Sequence, residues 1–156
     1  MATTITAATL TVTITEEITL NGQDKGSTNT LTVASVTEVS QRIVNIPTSE
    51  VIILAMHDDA VAAGQFAEGD VRYIRLTNKD DTNHITLVFK SENSNECSHL
   101  LDAGHSFIYP GDNSGGVVNT HDASASALTV SLDDLVDITA QANTAACDLE
   151  IFVAGV

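Results

Sequence analysis

The sequence predicts an all-β chain, an antiparallel β-sandwich of jelly-roll-like type with about eight to ten short strands in one domain over 1–156. Three observations lead there. The palette is rich in Thr, Val, Ile, Ala, Ser and Asn, so branched residues for pleated strands sit beside residues that make turns. Short segments alternate apolar and polar side chains with the period of a half-buried strand. Long runs of Leu, Glu, Lys and Arg with helical period are missing.

In chain order, "ITAATLTVTITEEITL" (5–20) places Leu10, Val12 and Ile14 on one face and Thr9, Thr11 and Thr13 on the other. It reads as a strand able to stand out as an extended arm, with a bulge or break near Glu16-Glu17, where a charge interrupts the apolar line. "NGQDKGSTN" (21–29) is a turn, opening on Asn-Gly. "TLTVASVTEV" (30–39), "QRIVNIP" (41–47) and "EVIILAM" (50–56) are strands, the last apolar on both faces and therefore central. Residues 57–70 form a Gly-punctuated connector with room for one helical turn.

"RYIRLTNKDDTNHITLVFK" (72–90) reads as a β-hairpin. Pairing Leu76 with Ile85 and Ile74 with Leu87 keeps all four on one face and leaves a six-residue loop, 78–83. "CSHLL" and "HSFIYP" flank "DAG" (102–104), which reads as a tight hairpin with Gly104 at the position needing positive φ. His99 and His105 share a face there only if the pairing sum is even, whereas an odd sum pairs Leu100 with His105 and turns His99 away. Residues 111–126 are a long loop, "ALTVSL" (127–132) a strand, 133–147 a short helix or irregular backbone, and "DLEIFVAG" (148–155) the last strand.

The totals restrict the function. Twenty-one Asp and Glu against six Lys and Arg leave a net charge of -15, which repels nucleic acid and anionic membranes. Hydrophobic residues make up 43% of the chain, so the acidity sits on a folded body and not on a disordered one. No apolar run is long enough to span a bilayer as a helix, no Asn-x-Ser/Thr sequon occurs, and the first residues lack the pattern of a secretory signal. Cys97 and Cys147, fifty residues apart, could form a disulfide, but two buried thiols in a chain made in the cytoplasm are the expectation.

No residue stands out as catalytic, cofactor-binding or metal-ligating. Asn78, Asp80, Asp81 and Asn83 could offer oxygens to Ca²⁺, but the D-x-[DN]-x-[DN]-G pattern is absent, and a hairpin tip needs such residues anyway. His57-Asp58-Asp59 converge only in a loop, because adjacent strand residues point to opposite faces. Asp133-Asp134 suit the start of a short helix. The five histidines, His57, His84, His99, His105 and His121, lack zinc spacing. G-x-S-x-G is missing, the glycine-rich stretches lack the context of a phosphate cradle, and the absence of Trp argues against a sugar-stacking cleft. The chain is expected not to be an enzyme and to need no cofactor.

Three stretches carry a resemblance: "VRYIRLTNKDDTNHITLVF" (71–89), "LLDAGHSFIYP" (100–110) and "DITAQANTAACDLEIFVAG" (137–155). Together they resemble small structural proteins of tailed-bacteriophage virions, particularly of aquatic phages, over roughly the C-terminal half of the chain. The resemblance implies a virion location and a capsid decoration (cement) subunit that contacts the major capsid protein and copies of itself, with a trimer as the implied symmetry. It also implies an alternative within the virion: a tail, collar or fibre-base accessory subunit. A Ca²⁺- or glycan-binding β-sandwich module is the alternative outside it. No functional residue carries over.

Overall fold

The structure, a computed structural model, describes residues 4–57, 65–67, 69–110, 117–120 and 131–156. Among them the regular structure is entirely β. The strands are β1 (Ala8–Glu16), β2 (Thr19–Leu20), β3 (Gln23–Asp24), β4 (Ser27–Val36), β5 (Glu38–Ile46), β6 (Val51–His57), β7 (Phe66–Ala67) and β8 (Val71–Asn78). They continue with β9 (Ile85–Ser91), β10 (Glu96–Leu101), β11 (Ser106–Pro110), β12 (Val117–Thr120), β13 (Ser131–Asp133), β14 (Leu135–Ala142) and β15 (Cys147–Gly155).

Period-two patterning builds two sheets that share one core. In β15, Cys147, Leu149, Ile151 and Val153 are buried while Asp148 and Glu150 point away from them. The first sheet runs β10-β9-β14-β6-β7 and the second β11-β8-β15-β5. Met56, Ile74, Leu76, Ile85, Leu87 and Ile138 fill the space between them. Closing this interior is the main driving force of the fold, at roughly 25 cal/mol for each Å² of apolar surface removed from water.

The strand order is that of a jelly roll. Four antiparallel pairs form one folded-over ribbon: β5 with β15, β6 with β14, β8 with β11 and β9 with β10. The ribbon then wraps so that β8 meets β15 and β9 meets β14. Along β5, β6, β8 and β9 the chain changes sheet at all three connections, and it does so again between β10 and β11 and between β14 and β15. The sandwich predicted from alternation is therefore present with two four-stranded layers and the short β7 as an added edge.

Two hairpins inferred from the sequence are corrected. Strands β8 and β9 do not pair: Ile74 lies opposite Tyr109 and Val153, and Leu87 opposite His99 and Ala140. Residues 79–84 are an arch from one sheet to the other. Likewise β10 and β11 lie in different sheets, so Leu100 and His105 are not partners, although Gly104 does adopt a φ of 72°. The reason is physical. Face parity requires only that two strands turn their apolar sides into one core, and an arch meets that demand as well as a hairpin does.

Residues 133–142 are extended and not helical. Strand β14 sits inside its sheet between β9 and β6, and Leu135, Ile138, Ala140 and Ala142 pack into the core. Asp133 caps no helix; its buried carboxylate accepts hydrogen bonds from Ser91 Oγ (3.0 Å), Asn93 Nδ2 (3.0 Å) and Asn95 Nδ2 (2.8 Å). It thereby fixes the turn between β9 and β10. Strand β6 is interior as expected, yet Ile52 on its outer face is 63% exposed. The inferred loop 111–126 and strand 127–132 fall largely outside the described residues, as do Asp58, Asp59 and His121.

The burial pattern separates structural from free positions. Leu76→Ala should lower unfolding free energy in urea by about 2–5 kcal/mol, because it opens a cavity in a closed core. Ile52→Ala should stay within about 0.5 kcal/mol of the parent.

Candidate functional site

The most distinctive surface lies outside the sandwich. Strands β1 and β4 pair antiparallel, with Leu10 opposite Val33, Val12 opposite Leu31 and Glu16 opposite Ser27. The alternation read at Leu10, Val12 and Ile14 gives this ribbon an apolar side. The ribbon ends where the charge pattern foretold, at Glu16, and a small β2–β3 hairpin forms its tip around Asn21 and Gly22, both at positive φ. Gly26 is needed at this break: a Cβ there would stand 2.2 Å from the Glu16 carbonyl oxygen. Near the root, Ser35 at φ 60° lies in an irregular step of the ladder, between the pairs Leu10–Val33 and Ala8–Val36.

The root of the arm is packed and its far part is open. Leu10, Val12, Val33 and Val36 cover Tyr73, Ile108, Phe152 and Ala154 on the outer face of the second sheet. Tyr73 and Phe152 meet edge to face with ring centroids 5.9 Å apart, and burial pushes the Tyr73 hydroxyl pKa up. This cover explains why Tyr73, on the outer face of β8, is as buried as the core residues of that strand. Farther out, Val12, Ile14, Leu31, Tyr73 and Ile108 line an open apolar groove of about 230 Å³ between arm and body. At the tip, Ile18 and Leu20 are 55% and 57% exposed beside Glu16, Glu17 and Asp24.

The arm crosses an electrostatic pair that stiffens the sheet below it. Arg75 and Glu150 form an ion pair on neighbouring strands, and Arg75 also donates to Thr77 Oγ1 at 2.6 Å. The hydrogen bond from Arg75 holds the Glu150 carboxyl below the usual carboxylate range. On the opposite outer face, Lys90 bridges Glu50 (2.8 Å) and Glu96 (3.4 Å), and its hydrogen bond lowers the Glu50 pKa. Both pairs are partly exposed and hold side chains in place more than they hold the fold together.

The polar residues singled out in the sequence serve the backbone. Asp80 Oδ1 accepts hydrogen bonds from the backbone amides of Asn83 (2.6 Å) and Thr82 (2.8 Å), which lower its pKa. Asp81 accepts from Thr82 Oγ1 at 2.9 Å. Asn78 is fully buried, so it is no Ca²⁺ ligand at a loop surface; its amide donates to the carbonyls of Asn83 (2.8 Å) and Leu101 (3.2 Å). Among the described residues no group of three His, Cys, Asp or Glu is placed to hold a metal ion. His57 ends β6 in solvent, the His84 carbonyl accepts from Asn143, and His105 Nδ1 lies 2.9 Å from the Ala103 carbonyl. The His99 ring packs on Phe107, with centroids 4.9 Å apart.

Sequence reasoning missed the buried roles of Asn78 and Asp133. Their signal was present, since each is a polar residue at a strand end, but such residues also mark ordinary turns. It also missed the paired arm, because β1 and β4 each read as a strand with one apolar side and nothing named the other as partner.

The two thiols differ, against the expectation that both are buried. Cys147 is buried and Cys97 is exposed at the edge strand β10, and both are free. Burial pushes the Cys147 thiol pKa up, which keeps it protonated and inert. A disulfide-exchange reagent should therefore titrate one thiol quickly in the native protein and the second only in denaturant. Equal fast reaction of both would contradict the burial of Cys147.

No family model matches the chain, and no curated protein or solved structure is significantly similar to it.

Proposed function

We propose that the chain is a structural subunit of a tailed-bacteriophage virion, a capsid decoration subunit that docks on the major capsid protein through its arm. The observation that carries this reading is the arm itself. Its root is anchored by Tyr73 and Phe152, while Ile14, Ile18, Leu20 and Leu31 are exposed farther out. An apolar stripe that runs past the body it is anchored to is a surface awaiting a partner. The acidic side chains around Ile18 and Leu20 select a partner surface with a basic rim and an apolar hollow. The jelly-roll frame supports the reading as an analogy, since it is common in capsid proteins but hosts other functions too.

The virion setting itself rests on the resemblance of 71–89, 100–110 and 137–155 to phage structural proteins. A net charge of -15 fits a subunit facing solvent on a particle rather than one facing packaged nucleic acid. Within the described residues the polar clusters are committed to loop backbones and ion pairs, which favours a docking role over catalysis.

The test is co-sedimentation of the purified chain with expanded capsids of the phage that encodes it. The parent should bind saturably. The double variant Ile18→Asp/Leu20→Asp should bind at least about tenfold more weakly with an unchanged melting temperature, because the tip is outside the core. If the parent leaves capsids unoccupied, the decoration role fails, and density for the chain at the tail, collar or fibre base of an intact particle would place it there instead.

A further inference from the structure

We propose that β5 is a self-pairing edge, through which two copies of the chain join their second sheets into one continuous eight-stranded sheet across a two-fold axis. This goes beyond the virion reading and does not depend on it, because it concerns the isolated chain.

Among the described residues, strand β5, nine residues long (Glu38–Ile46), is bonded to β15 along one side only. It is the end strand of its sheet, so a row of backbone N–H and C=O groups along its other side faces outward. Folded proteins blunt such edges with short strands, proline or covering segments, and β5 is long and free of proline. Its outer-face side chains add to the exposure. Val39 lies opposite Ala154 and Ile43 opposite Glu150, on the face that carries the arm, and they are 55% and 63% exposed. The arm root covers Tyr73, Phe152 and Ile108 on β8, β15 and β11 and leaves both β5 side chains open.

The sequence of the strand selects a second copy as the occupant. In antiparallel self-pairing, the two position numbers of every pair sum to a constant. That sum must be even, because an odd one would set outer-face side chains against inner-face ones and misalign the outward hydrogen-bonding groups. A sum of 82 places Val39 opposite the partner's Ile43 and Ile43 opposite the partner's Val39. The four branched side chains then form one apolar strip across the junction, a favourable cross-strand combination. Gln41 stands on the axis, opposite the partner's Gln41. On the inner face Glu38 lies diagonal to the partner's Arg42, within reach of long side chains of opposite charge.

Charge does not oppose this contact as the total would suggest. Glu38 and Arg42 are the only charged residues of β5, so the edge is locally neutral on an otherwise acidic molecule. Arg42 is also anchored: its guanidinium donates to the Ile53 carbonyl of the opposite sheet, which holds the edge strand in its extended form. The arms leave β5 across the outer face toward β11, away from the junction, so both remain open in the pair. The symmetry is isologous, the commonest kind for soluble homo-oligomers.

Sedimentation equilibrium of the full chain should show a reversible dimer at twice the monomer mass. Ile43→Lys removes both apolar pairs at an exposed position and should weaken the dimer on the order of 100-fold without lowering the melting temperature. In a Cys97→Ser background, Gln41→Cys should form an intermolecular disulfide on mild oxidation, since it faces its own copy at a separation the bond accepts. Val39→Cys in the same background, set against the partner's Ile43, should not. A monomer at all concentrations, a trimer, a dimer indifferent to Ile43→Lys, or cross-linking by Val39→Cys as efficient as by Gln41→Cys would overturn the proposal.

Discussion

The Asn78 side chain holds together the corner on which the ribbon topology turns. It ends β8 inside the core, where an unpaired amide would carry a large desolvation penalty. Its side chain makes three hydrogen bonds to the chain's own corners: Oδ1 accepts from the Asp80 amide at 3.0 Å, and Nδ2 donates to the Asn83 and Leu101 carbonyls. The first two contacts fold residues 79–84 into the arch that carries the chain into the other sheet. The third ties in the end of β10, where the next arch begins. The Asn78 backbone amide adds a bond to the His105 carbonyl at 3.0 Å, so both arches meet at one residue. That corner adds polar contacts at the arches to the apolar interior that drives the two sheets together.

This also explains what the sequence revealed and what it withheld. Alternation assigned faces correctly: Ile74, Leu76, Ile85, Leu87, Leu149, Ile151 and Val153 all point into one core. It is a local property and carries no information about which strand lies alongside. Pairing across the sandwich is decided at the arches, whose corner is held by long-range contacts such as Asn78 to Leu101, and Asp133 to Ser91 likewise ties the β9–β10 turn to a distant strand. A polar residue that bonds a distant carbonyl looks, in sequence, like one that bonds its own turn. Residues 133–142 misled for a related reason. Ala and Leu at close spacing suit a helix, but a strand flanked on both sides by neighbours takes its identity from them.

The arm and the sandwich divide the work of a docking protein. The sandwich is rigid because its interior is closed and its corners are bonded. The arm is held at its root by an aromatic cluster and leaves the rest of its apolar side to solvent. Such an arrangement fixes the direction of a contact surface in advance, which lowers the ordering penalty of association. The outer face of the second sheet thus carries two distinct opportunities, the arm over β8 and β11 and the bare edge at β5. The arm root lies over Tyr73, Ile108, Phe152 and Ala154, and the outward edge of β5 lies beyond β15 at the end of the sheet, so the two proposed contacts, to a scaffold and to a second copy, use different surfaces.

The most direct test is the equilibrium stability of Asn78→Ala in urea. The substitution leaves the carbonyls of Asn83 and Leu101 and the Asp80 amide without their partner in a buried corner. A loss of about 2–4 kcal/mol is expected, with unfolding still cooperative in the parent. A change smaller than about 0.5 kcal/mol, the range of an ordinary surface substitution, would contradict the corner's role in directing the ribbon.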